Sequence, residues 1–206
     1  MKVLNEENLK SACDLLSKRD ADFRFVLKTY GYPPLWQRDE GFPTLVHIIL
    51  EQQVSLASAL AAFTRLKEAI KLTPKNFLTL DDAELKTIGF SRQKTLYCRI
   101  LAEAILEKKL DLKALSNMDD DDVRSVLKNL KGIGDWTVDI YLLMSLLRAD
   151  IFPQGDLALF VATQKLKQLP TRPANNEMQS MAEKWKPYRA VAARILWHFY
   201  LSKPKN

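Results

Sequence analysis

"LKNLKGIGDWTVDIYLLMSLLRADIFPQGD" (residues 127–156) carries two glycines separated by one isoleucine, Gly132-Ile133-Gly134, then Trp136, and it closes on Asp156. Leu127 and Leu130 ahead of the glycines and the apolar run from Trp136 to Leu147 behind them read as two helices joined by a very short reversal. Glycine reaches backbone angles closed to other residues, and it leaves the turn bare, so main-chain amides can approach a ligand closely. The second helix, beginning near Asp135, aims its unpaired N–H groups and positive dipole end the same way. Two readings fit this pattern: a tight corner between helices that binds nothing, and an anion site suited to a phosphate. A dinucleotide fingerprint does not fit, because it needs a preceding strand and a third glycine.

Outward from this stretch the signals are helical from end to end, and no alternation is long enough for a strand. Asn5 can cap a first helix to about residue 18, and a second spans about 20–30 with Gly31 as its stop. The Pro33-Pro34 pair breaks GYPPLWQRDEG, and Pro43 suits the first turn of a helix ending at Glu51. Ser55 can cap a helix whose apolar stripe is Leu56, Ala59, Leu60, Phe63, Leu66 and Ile70. Short helices open at Thr73-Pro74 and Asp81-Asp82, and Ser91 caps a longer one to about residue 108. A helix over about 120–129 leads into the glycine turn, and three more cover roughly 156–168, 176–185 and 188–201. Residues 81–95 and 120–137 share an order of acidic helix start, glycine turn and new helix, which fits either two independent hairpins or a functional pair. The fold class is all-α.

The chain of 206 residues is 47% hydrophobic and 27% charged, as in an ordinary globular protein. A net charge of +6 permits a polyanionic partner without demanding one. Its two cysteines, Cys13 and Cys98, exclude a four-cysteine iron–sulfur cluster within this chain and argue against a disulfide framework. The charged start, MKVLNEENLKSACD, does not read as a signal peptide, and no apolar run is long enough for a membrane span. A cytoplasmic monomer with no membrane partner is expected, nucleoid-associated if bacterial.

Three segments together carry a resemblance. Gly-Ile-Gly-Asp-Trp-Thr followed by Phe152-Pro153-Gln154-Gly155-Asp156-Leu157 resembles the helix-hairpin-helix and Gly/Pro loop of the HhH-GPD superfamily of DNA glycosylases. FPTLVHIILEQQVSLASA (42–59) and WKPYRAVAARILWHFY (185–200) resemble corresponding helices of its 3-methyladenine DNA glycosylase II branch. The likeness implies a single glycosylase module over 1–206, with two helical subdomains around a DNA-binding cleft. The hairpin would lie at about 120–147 and the catalytic loop at about 148–157, and the N-terminal β-domain of some relatives has no counterpart.

By the same likeness Asp156 is the catalytic carboxylate, where a lone aspartate in such a turn otherwise reads as a helix cap. Trp136, Trp197, Leu157 and Ile140 would line a base pocket, an indole face attracting a cationic base. Lys131, Gly132, Ile133, Gly134 and Thr137 would grip one DNA strand. Main-chain oxygens of Lys128, Leu130 and Ile133 can hold a structural Na+ or K+, and no other cofactor is required. Gln53 stands where a residue fills the gap left by a flipped nucleotide, although some relatives carry an apolar wedge there. Arg92, Lys94 and Arg99 can meet phosphate or form a solvated basic face, and His47 and His198 read as structural.

Lyase-competent members carry a lysine two residues after the second hairpin glycine. Trp136 occupies that position, which implies a monofunctional enzyme. Asp135 is a departure, acidic where phosphate should approach. The expectation is a base-excision-repair glycosylase acting on damaged double-stranded DNA, removing alkylated purines such as 3-methyladenine and 7-methylguanine. Hypoxanthine or uracil removal, or lesion binding without cleavage, are the alternatives.

Overall fold

The computed structural model describes residues 2–202. Its helices, in chain order, are α1 (Glu6–Arg19), α2 (Ala21–Tyr30), α3 (Phe42–Glu51), α4 (Leu56–Ala69), α5 (Pro74–Phe77), α6 (Asp82–Ile88), α7 (Arg92–Leu106), α8 (Asp120–Lys128), α9 (Asp135–Met144), α10 (Leu157–Leu166), α11 (Asn175–Glu183) and α12 (Arg189–Leu201). Among the described residues there is no strand, and an isolated bridge joins Val3 to Arg148. The chain divides into two compact units, one made of residues 1–37 and 142–206, the other of residues 38–141.

Most boundaries follow from capping chemistry legible in the sequence. The side chains of Asn5, Ser55, Ser91 and Asp119 accept the N–H of Asn8, Ser58, Lys94 and Asp122, each satisfying an orphan donor of a first turn. Where the expectation failed, tertiary packing decided. On α4 the buried positions are Ala59, Ala62, Phe63 and Leu66, whereas Leu56 and Leu60 are 61% and 54% exposed. The buried face is therefore rotated from the predicted stripe towards Ala62, because α4 packs against α3 and α6. Likewise α9 ends at Met144, three residues before the apolar run does.

In the unit of residues 38–141, α3 is the central helix, burying Phe42, Leu45, Val46, Ile48, Ile49 and Leu50. At its end the half-buried Arg38 makes a two-pronged pair with Glu51, both contacts 2.8 Å. His47 stacks flat on Phe63 at 4.2 Å, and burial lowers its pKa below the usual histidine value. Its structural reading therefore has a physical basis. The hairpin helices are clamped internally: Arg124 of α8 pairs with Asp139 of α9, a fully buried carboxylate.

In the unit of residues 1–37 and 142–206, α12 is the central helix, with every residue from Ala190 to Trp197 buried. Arg194 lies within it at 0% exposure and donates to three carbonyls, those of Leu35 (2.9 Å), Ala190 (3.1 Å) and Leu143 (2.7 Å). Burial lowers its pKa to about 10. Truncating it would leave buried acceptors unpaired, each costing about 1–3 kcal/mol, so this arginine fixes the loop carrying Leu35 against α12.

Candidate active site

Asp156 sits at the end of a loop held rigidly in the unit of residues 1–37 and 142–206. Arg189 binds the loop at Asp150 through Nε to Oδ1 (2.9 Å), Nη2 to Oδ2 (3.0 Å) and Nη2 to the carbonyl (3.0 Å). Ala190 N–H donates to the Ala149 carbonyl at 3.0 Å, and Phe152 packs 5.6 Å from Trp185. Ile151, Phe152 and Pro153 are buried, Gly155 turns the chain at φ +72, and the carboxylate of Asp156 arrives 9% exposed at the start of α10.

The capping reading of Asp156 has a direct geometric counterpart. Its Oδ1 caps α10 by accepting Leu159 N–H at 3.0 Å, and the same oxygen accepts Trp197 Nε1–H at 3.2 Å. A carboxylate held by two N–H donors in a sheltered position cannot swing away from a reacting atom, and this preorganisation is what charge stabilisation requires.

The sequence reading missed Trp36. This half-buried residue adopts φ +49, unusual for a bulky side chain, and stands edge-on to Trp197 with centroids 6.4 Å apart. It also lies 6.5 Å from His198, whose Nε2 is 3.2 Å from the Tyr30 carbonyl. The GYPPLW segment could only be recognised as non-helical from sequence, since its neighbours come from α12. An aromatic beside the double proline was the available signal. Leu157, by contrast, is 59% exposed and contributes no buried wall here.

In the unit of residues 38–141 the glycine turn joins α8 to α9, and its two glycines do different work. Gly132 has φ +95, and a Cβ there would lie 2.0 Å from Cγ of Tyr97, whose ring packs against the turn. Gly134 needs no left-handed angle, and a Cβ there would meet nothing within 4 Å. The expectation that both glycines serve the backbone reversal is thus corrected: Gly132 alone serves it. Gly134 opens α9 with no side chain to cap it, whereas α7 after the comparable turn at Gly89 is capped by Ser91. A Cβ at Gly89 would meet Nη2 of Arg65 at 2.9 Å, so that turn is filled from inside the protein.

Around the bare turn is a pocket of about 360 Å³, bounded by Gly132, Ile133 and Gly134 on one side and by Gln93, Lys94 and Tyr97 on another, with Gln52 and Gln53 between them. Lys131 is exposed, Ile133 is buried, and Ile133 N–H donates to the Leu130 carbonyl at 3.1 Å. Thr137 is also buried, its hydroxyl accepting from Gln52. Asp135 is ion-paired with Lys128 at 2.6 Å, which balances its charge beside the turn. Trp136 is half-buried in the first turn of α9, and Ile140 is buried one turn on. Of the three candidate cations after the second turn, Arg99 pairs with Asp82 (2.9 Å) and Lys94 donates to the Leu50 carbonyl (2.7 Å), while Arg92 is exposed.

A glycine hairpin whose second helix follows the bare Gly134, then a Pro/Gly loop ending in a sheltered aspartate, defines a class. The chain belongs to the HhH-GPD superfamily of base excision DNA repair proteins, whose family profile matches residues 46–187. Within it, the chain is similar to DNA-3-methyladenine glycosylase 1 of Schizosaccharomyces pombe, 30% identical over 88% of this chain and 83% of that protein. It is also similar to the protein YfjP of Bacillus subtilis, at 29% identity over 93% of this chain and 69% of that one. Among solved structures, a Schizosaccharomyces pombe 3-methyladenine DNA glycosylase in complex with abasic DNA superposes with a TM-score of 0.86 at 28% identity, covering 91% of this chain and 95% of that chain. Among the described residues no helix is long and apolar enough to cross a membrane.

Proposed function

We propose that this protein is a DNA glycosylase that excises alkylated purines of the 3-methyladenine and 7-methylguanine class from double-stranded DNA and leaves an abasic site. The observation that carries the reading is Asp156, its Oδ1 held at once by the α10 amide of Leu159 and by the indole of Trp197. Relatives named as 3-methyladenine glycosylases support the substrate class.

In the reaction the bond from deoxyribose C1′ to the purine nitrogen breaks, and its electron pair leaves with the base. Alkylation already gives the base a positive charge, so departure neutralises it and little protonation is needed. Positive charge then develops on the sugar. The Asp156 carboxylate stabilises that charge and takes the proton of the water that adds to C1′. Trp197 holds the carboxylate in place, and the electron-rich faces of Trp36 and Trp197 suit a cationic base.

Hydrolysis without strand cleavage follows from Trp136 at the position of the lyases' lysine, since a Schiff base needs an amine nucleophile there. The bare Gly134 and the amides after it suit a DNA phosphate. The carbonyls of Lys128, Leu130 and Ile133 suit a monovalent cation: all are neutral oxygens, and that of Leu130 keeps a second lone pair beyond the one used by Ile133 N–H. Such a cation would supply positive charge to the phosphate grip and take no part in bond breaking.

The test is incubation with methylated duplex DNA and chromatography of the released bases. Release of 3-methyladenine and 7-methylguanine is expected. Binding to that DNA with no base released would refute the enzymatic reading.

A further inference from the structure

The tip of the turn after α3 is tethered on two sides. Gln52 closes α3, and Gln53 follows it at φ +57, exposed. A non-glycine residue stays in that left-handed region only where its surroundings hold it. Two contacts do so. Lys94 of α7 donates Nζ to the Leu50 carbonyl at 2.7 Å. Gln52 uses its side-chain amide nitrogen twice, donating to the Gly132 carbonyl at 2.9 Å and to the Thr137 hydroxyl at 2.9 Å. Those two acceptors stand at the two ends of the bare glycine turn, one before Gly134 and one after it. Thr137 is buried and Gln52 half-buried, so the tether is partly shielded from solvent.

We propose that Gln52 is a positioning residue that locks the Gln53 turn to the strand-gripping hairpin, so that phosphate binding and Gln53 insertion are delivered by one rigid body. The proposal rests on the reading above, in which the hairpin grips a DNA strand and Gln53 fills the gap left by the flipped nucleotide. The chemistry selects glutamine. Two acceptors are reached by one nitrogen bearing two hydrogens, which a glutamate of the same length cannot supply. With the tether intact, docking the hairpin on a phosphate fixes where Gln53 meets the base stack. Without it, the grip persists but the inserting side chain is no longer held at the register that flipping requires.

The distinguishing feature of such a role is that it matters only when a base must be taken out of a stack. Gln52→Leu and Gln52→Glu are compared with the unaltered protein on two substrates. One is 7-methylguanine paired in a duplex; the other is the same lesion within an unpaired loop, where flipping is already accomplished. Single-turnover release, affinity for undamaged duplex and the fluorescence of 2-aminopurine at the flipping position are measured, with thermal melting as the control for folding.

Gln52→Leu and Gln52→Glu should release base at least about tenfold more slowly from the paired site, with lower 2-aminopurine fluorescence and nearly unchanged release from the loop. Equal losses on both substrates, a matching loss of duplex affinity, or no loss at all would overturn the proposal. Because the fluorescence needs binding only, unaltered protein that flips without releasing base would defeat the glycosylase reading, while lower fluorescence in the Gln52 variants would still support the tether and equal fluorescence would overturn it.

Discussion

Asp156→Asn separates the helix-capping role of one side chain from the catalytic role proposed for it. The Oδ1 of Asp156 accepts Leu159 N–H at 3.0 Å and Trp197 Nε1–H at 3.2 Å, and an asparagine oxygen can accept both. Asparagine and aspartate are near-equal caps, so the variant should lose less than about 1 kcal/mol of stability. What it loses is the negative charge available to the cationic sugar. Removing one preorganised electrostatic partner typically costs about 10²–10³ in rate, roughly 3–4 kcal/mol, which sets a lower bound for a full charge. Single-turnover release at saturating enzyme isolates this chemical step from binding and product release. Asp156→Ala serves as a contrast: it also removes the cap, at about 0.5–2 kcal/mol, and leaves a buried indole N–H unpaired, at about 1–3 kcal/mol. The expected order is therefore two inactive variants of which only the alanine melts markedly earlier. An asparagine variant that released alkylated purine at the unaltered rate would leave Asp156 as a helix cap alone and remove the mechanism.

The two hairpin glycines should respond oppositely to alanine. Gly132→Ala meets both a left-handed φ and the Tyr97 ring, and should lose about 2–4 kcal/mol, read as earlier melting. Gly134→Ala should change stability by no more than about 0.5 kcal/mol yet weaken binding to all duplexes alike, measured by titration; unaltered affinity would mean that nothing approaches that position. Borohydride should trap no covalent adduct, and strands should break only after hot alkali; a trapped adduct would reveal an amine nucleophile elsewhere. Burial lowers the His47 pKa, so the unfolded chain binds the proton more readily. Its contribution to stability is complete above about pH 6.5 and is lost as pH falls through the lowered folded value. His47→Phe should flatten the loss of melting temperature below that pH, and an unchanged slope would assign it to other groups.

What could be read from the sequence was local. The caps at Asn5, Ser55, Ser91 and Asp156 sit within a few residues of the amides they bind, and the glycine turn is defined by neighbouring residues. What could not be read depends on partners distant in the chain. Trp36 is placed against Trp197 by α12, and Gln52 meets an acceptor 80 positions away. The α4 stripe shows the intermediate case: the period was right, but which side faces the core depends on where α3 lies, and helical spacing says nothing about that. Leu157 was placed by family register rather than by its surroundings, and it is exposed.

One unit is continuous in sequence, residues 38–141, while the other is assembled from the first 37 residues and those after 141. Synthesis therefore presents its parts out of order. Helices α1 and α2 emerge early with apolar faces built to meet α12, whose residues begin at Arg189. At about 5–20 residues per second, they wait on the order of ten to thirty seconds for that partner. Meanwhile the intervening unit, with α3 through the glycine turn, already holds all its own residues. The nascent chain thus completes its glycine hairpin before Asp156 is made, and on the function proposed above a chain interrupted between the two would carry the hairpin without the carboxylate.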